Sequence, residues 1–163
     1  MREKEESIRR VVTGHKDGQS VVIADTDIPD QELLGAKIFE LWETTGTPSI
    51  PVDPEKCHFP LKFKMPGQPG ETRLRVTVIP PDEQMRGSGM HKTRTVDYDI
   101  IISGELWMEL DDGSVLLKSG DCVIQNGTRH AWHNRSKETC LMLSVCIGVR
   151  KNDEWRVANY ELK

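Results

Sequence analysis

The stretch GMHKTRTVDYDIIISGE (residues 89–105) sets a histidine, two threonines and an aspartate at every second position, then runs into three isoleucines and a glycine. Successive side chains of an extended strand alternate between its two faces. His91, Thr93, Thr95 and Asp97 would therefore share one face, with Lys92, Arg94 and Val96 on the other. Such a face is either part of a metal site or the polar side of an edge strand, and the flanking sequence has to decide.

Outward from this stretch the chain reads almost entirely as short strands broken by turns. Downstream, GELWMELDDGSVLLKSGD (104–121) is a hairpin pattern turning at Asp112-Gly113, with Leu106, Met108 and Leu110 on one face. CVIQNGTRHAWHN (122–134) adds a strand, a turn at Asn126-Gly127 and a second strand, and CLMLSVCIGV (140–149) closes the apolar series. Upstream, residues 72–82 alternate, with Leu74, Val76 and Val78 against Arg73, Arg75 and Thr77. Residues 36–44 alternate as a strand, and residues 10–25 form a hairpin pattern around Asp17-Gly18. A loop rich in proline and glycine fills 46–70, placed to wrap the core or a partner chain. Helix signals are confined to residues 1–10, a short charged helix or a disordered arm, and to one or two turns within 29–38 before Gly35. The expectation is an all-β antiparallel sandwich or barrel with few short helices.

A chain of 163 residues is long enough for one domain with its own core. Its charges, 22 Lys and Arg against 26 Asp and Glu, are interspersed and sum to −4, which argues against a nucleic-acid partner. No apolar run reaches the ~18 residues of a membrane helix, and MREKEESIRR has no apolar segment behind its charges. A soluble cytoplasmic protein without a membrane partner is expected. The four cysteines, Cys57, Cys122, Cys140 and Cys146, form no CxxC pair and read as reduced thiols, three of them in apolar runs.

Of five histidines, His15 sits at a hairpin turn and His58 in the proline-rich loop, where solvated roles suffice. His91 and His130, joined by Asp97, offer two imidazoles and a carboxylate, a set suited to iron(II), manganese, nickel or catalytic zinc if the strands meet. His133 has the wrong parity to join His130. Arg75 either points inward, to hold a substrate carboxylate bidentately, or outward, because Leu74, Val76 and Val78 compete for the core. Tyr98, Trp107 and Trp132 are candidate contacts for a ring-shaped substrate.

Residues 87–149 resemble the conserved barrel of a small single-domain cupin. The first cupin motif has the form G(X)5HXH(X)3-4E(X)6G and the second G(X)5PXG(X)2H(X)3N. His91 falls on the first histidine, Thr93 on the second, Asp97 on the glutamate and Gly104 on the closing glycine. Gly127, His130 and Asn134 match the second motif, with Gln125 at its proline. The chain is similar to a subgroup with an MHxTxTVDY…GTRHAWxN pattern. The resemblance implies a jelly-roll barrel over 71–150, with 1–70 as N-terminal strands and a loop packed on it and 151–163 as a tail, all within one domain. It also implies one divalent metal ion (zinc, iron, manganese or nickel) on His91, Asp97 and His130, with Thr93 behind them. The function implied is a metal-dependent enzyme on a small organic acid or aromatic metabolite: a lyase, decarboxylase, isomerase or dioxygenase. The alternatives are a non-catalytic small-ligand binder or a metal-free protein like the sugar epimerases. A homodimer is expected, through the N-terminal hairpin.

Overall fold

The computed structural model describes residues 7–51, 61–87 and 89–150. The expectations for residues 1–6, for Cys57 and His58, and for the 151–163 tail lie outside the described residues. Eleven strands and one 3-10 turn make up the described secondary structure. The chain opens with a hairpin of β1 (Ser7–Lys16) and β2 (Gln19–Pro29). Asp17 and Gly18 both take positive φ (51° and 78°), as a two-residue turn between right-twisted strands requires.

The helical turns expected over 29–38 are absent. Short β3 (Gln31–Leu33) and β4 (Ala36–Thr45) form a second tight hairpin there. Leu34 and Gly35 adopt φ of 55° and 95°, so the glycine read as a helix stop is half of a hairpin turn. A Cβ at Gly35 would stand 2.6 Å from the Gln84 carbonyl oxygen, so only glycine fits. Residues 7–10, read as helix or arm, are strand as well.

The remaining strands are β5 (Glu71–Ile79), β6 (Thr95–Ser103), β7 (Glu105–Leu110), β8 (Gly113–Lys118), β9 (Cys122–Gln125), β10 (His130–His133) and β11 (Cys140–Gly148). They build a six-stranded sheet, β3-β4-β5-β11-β6-β9, and a three-stranded sheet, β10-β7-β8. All the strand pairs are antiparallel. The β7–β8 turn is Asp111-Asp112 rather than 112–113, because Leu110 pairs with Gly113. Between the sheets lies an apolar core in which Leu106, Met108 and Leu117 meet Ile79, Ile101 and Met142. Gly104, at φ 80°, carries the chain from one sheet to the other against Cys140.

A second apolar cluster lies on the other side of the six-stranded sheet. Ile28 and Ile8 of the first hairpin cover Phe39, Leu41, Val76 and Val78. This sheet is therefore apolar on its outer side too, which frees its inner side to carry charge.

Candidate ligand cavity and metal centre

Strand register stacks the inward residues of the six-stranded sheet in rows. One row is mainly apolar, Ile38–Thr77–Met142–Ile101. The next is Glu40–Arg75–Ser144–Asp99, and the one beyond joins Arg73, Cys146, Asp97 and Gln125. The barrel thus grades from an apolar core into a charged floor. Arg73, Arg75, Glu40, Asp97 and Asp99 are all buried, between 0% and 6% exposed. Buried charges need partners. Arg73 pairs with Glu43, and Arg75 Nη2 lies 2.9 Å from Glu40 Oε1. Among the described residues, Asp97 and Asp99 have no arginine or lysine partner.

Asp97 Oδ2 accepts a hydrogen bond from Gln125 Nε2 at 3.1 Å, while its buried Oδ1 has none. Gln125 Nε2 also donates to Thr93 Oγ1 at 3.0 Å, and its Oε1 accepts from the Thr128 N–H at 2.7 Å. Asp99 Oδ1 accepts from the Ser144 hydroxyl at 2.6 Å. Burial lifts its carboxyl to about 6. Cys146 is lifted in the same way and stays a thiol.

His91 and His130 meet across the barrel mouth through two backbone hydrogen bonds of 2.8 and 2.9 Å, their ring centroids 4.5 Å apart. His91 precedes β6, so backbone pairing with His130 rather than strand alternation fixes its place. His91 Nδ1 faces the Gly89 carbonyl at 3.0 Å and His130 Nδ1 faces that of Thr128 at 2.9 Å. A carbonyl only accepts, so both Nδ1 atoms carry hydrogen and each neutral ring keeps its lone pair on Nε2. Burial lowers the His130 pKa, which favours that neutral form.

These groups border one cavity of about 520 Å³ whose walls include Leu34, Phe63, Met85 and Trp132. His91, Thr93, Asp97 and His130 all line it, as do Arg75 and Asp99. Neutral imidazoles with held Nδ1 atoms and a buried, half-satisfied carboxylate are the donor types that a divalent cation takes. Yet among the described residues no group of three or more His, Cys, Asp or Glu side chains is disposed to hold a metal ion. The donors fit by chemistry, and their present placement does not close a three-ligand centre.

The other candidates divide. Trp132 lines the cavity, its ring 5.7 Å from His130. Tyr98 does not: Asp97 and Asp99 face inward, so Tyr98 projects outward and is 43% exposed. Trp107 is also outside the cavity, under the Arg135 guanidinium, because its neighbours Leu106 and Met108 take the inward side of β7. Arg75 points inward, but not towards an empty space for a carboxylate. Besides Glu40, it donates to the Lys64 carbonyl at 2.9 Å and to Met65 Sδ, and it lies over the Phe63 ring. His133 faces away from the cavity to Glu109 and Asp82. Asn134 joins Ile79 O to Glu138 O and serves the architecture. Glu40, Asp99, Ser144 and Gln125 were not picked out as site residues, although Asp99 and Ser144 stand at inward positions of their own strand alternations.

A paired jelly-roll sheet with this histidine bridge at its mouth defines a class, and the chain belongs to the cupin family. The cupin-domain model matches residues 75–146. The chain is 33% identical over 137 residues to phomopsin biosynthesis cluster protein C' of Diaporthe leptostromiformis, covering 78% of this chain and 70% of that one. It is 30% identical over 133 residues to the cupin-domain-containing oxidoreductase fogC of Aspergillus ruber, covering 77% and 63%. Among solved structures, a putative ethanolamine utilization protein Q from Salmonella typhimurium superposes with a TM-score of 0.51 at 13% identity, over 91% of this chain and all of that one, a likeness of fold. Among the described residues no helix is long and apolar enough to cross a membrane.

Proposed function

We propose that this cupin is a metal-dependent enzyme acting on a small, largely apolar or aromatic metabolite in the barrel cavity, with His91, Asp97 and His130 as the residues that would hold the metal. The observation that carries the reading is the buried Asp97 carboxylate, whose Oδ1 has no hydrogen-bond partner, in a cavity that His91 and His130 also line. A divalent cation there would supply Lewis acidity to a substrate oxygen, or redox chemistry if it is iron. The names of relatives, cupin-domain-containing oxidoreductases among them, favour the oxidative branch over a lyase or isomerase. The chain's own residues supply orientation and exclusion of water. Gln125 holds Asp97 in place, the Gly89 and Thr128 carbonyls fix the imidazoles, and Phe63, Met85 and Trp132 give the ligand an apolar wall. The engagement of Arg75 favours an apolar or aromatic metabolite over a simple organic acid.

A non-catalytic binding module is the second reading, favoured by the open arrangement of the three donors. Anaerobic thermal denaturation with iron(II), manganese, nickel or zinc separates the two. The enzyme reading predicts that at least one ion raises the melting temperature of the wild type and that His130→Ala abolishes the rise. No rise with any ion would leave the binding module.

A further inference from the structure

Two arginines reach the inner side of the six-stranded sheet, and both are paired. Arg75 is held by Glu40, Lys64 O, Met65 and Phe63, and Arg73 by Glu43. Lys92, the other cation bordering the cavity, is already engaged. Among the described residues an anionic ligand would therefore meet no uncommitted cation there, and it would meet two carboxylates. If Asp97 serves the metal, Asp99 is the charge left over.

Asp99 is 4% exposed and lines the cavity. Ser144 holds its Oδ1, while Oδ2 has no hydrogen-bond partner among the described residues. Arg75 stands two strands away across β11, with its guanidinium held by Glu40 and the Lys64 carbonyl; its charge is felt at Asp99, but it makes no hydrogen bond or ion pair with that carboxylate. A carboxylate held on one oxygen and lining a cavity leaves the other open to a donor there, and a cationic donor answers its charge as well. The cavity wall also carries a patch of apolar and aromatic side chains, Leu34, Phe63, Met85 and Trp132, beside the polar Thr77 and Thr93.

We propose that Asp99, oriented by Ser144, is the docking point for a protonated amine on an otherwise apolar or aromatic ligand. The proposal rests on the reading of this cavity as the substrate site, and it names the class of substrate that the site selects.

Three probes of one shape test it by isothermal titration calorimetry at pH 7.5: phenethylamine, 2-phenylethanol and 3-phenylpropionate. The expected result is that phenethylamine binds at least 10-fold more tightly than 3-phenylpropionate, with the alcohol between them. Asp99→Asn should bring amine and acid within about 2-fold, while Ser144→Ala, which keeps the carboxylate, should retain the preference for the amine. Near-ultraviolet circular dichroism establishes that each variant is folded. If Asp99→Asn does not fold, the Ser144→Ala and wild-type preferences still decide. Equal binding of amine and acid, preference for the acid, or binding of none of the three would overturn the proposal. Manganese stabilisation lost in Asp99→Asn would also overturn it, by making Asp99 a metal ligand. The metal reading stands or falls separately, on the response of His130→Ala to added ions.

Discussion

Replacing Arg75 by methionine tests the charged floor of the barrel, because it removes the nearest counterion of a fully buried carboxylate. Glu40 is fully buried, and neither of its oxygens has a hydrogen bond; Arg75, 2.9 Å away, is its counterion without being aligned as a hydrogen-bond donor. Burial already holds the Glu40 carboxyl above its ordinary value of 4.5, with Arg75 offsetting part of that rise. Removing one partner of a buried pair costs about 3–5 kcal/mol. For a chain of this size that corresponds to roughly 6–20 °C in melting temperature. Glu40→Gln should cost less, about 1–3 kcal/mol, because Arg75 keeps the Lys64 carbonyl and the Phe63 ring. The double variant should recover about 1–3 kcal/mol relative to Arg75→Met alone. The effect also has a pH signature. A carboxyl whose folded-state pKa is raised stabilises most below its unfolded value and loses that contribution as pH climbs through the raised one. The deficit of Arg75→Met should therefore be smallest near pH 4–5 and grow towards pH 8. Urea denaturation followed by tryptophan fluorescence measures all four proteins. A loss under about 1 kcal/mol for Arg75→Met, or strict additivity in the double variant, would refute the buried pair.

Gly104→Ala should destabilise the fold by about 1–3 kcal/mol, since φ is 80° and the new Cβ would stand 2.8 Å from the Thr139 carbonyl oxygen; a melt within 1 °C of wild type would contradict this. Cys122 is exposed whereas Cys140 and Cys146 are buried, so brief native alkylation read by peptide mass spectrometry should label Cys122 and spare the other two until denaturation. Burial lifts the Cys140 thiol from 9.0 to about 11, so the native state keeps its proton longer than the unfolded chain does. Its contribution should be present below pH 9 and be lost as pH rises towards 11, and Cys140→Ala should flatten that alkaline decline.

The strand series from 71 to 149 was legible because turns punctuate it and the apolar faces alternate. The inside of the sheet was not. Leu74, Val76 and Val78 compete with Arg73, Arg75 and Thr77, and an alternation with one apolar face normally points that face inward. Here Val76 and Val78 pack beneath the first hairpin, so both faces are covered and the arginines take the barrel side. Leu34 hid the β3–β4 turn, because a positive φ at a non-glycine residue has no sequence signature beyond the glycine that follows. The strand alternation that turns Asp97 inward also turns Tyr98 outward and Asp99 inward, so the substrate contact expected of Tyr98 falls on the wrong face. His91 was found by its motif, but its setting was illegible: a backbone bridge ahead of β6, rather than strand alternation, brings it to His130.

The proposed metal site would be held by Asp97, His91 and His130. Metal analysis of protein purified without an affinity tag or chelator, for the wild type and for Asp97→Ala, tests it most directly. Close to one divalent ion per chain is expected in the wild type and little in the variant. A wild type that holds no metal as purified, and takes up none on anaerobic dialysis against iron(II), manganese, nickel or zinc, would contradict it.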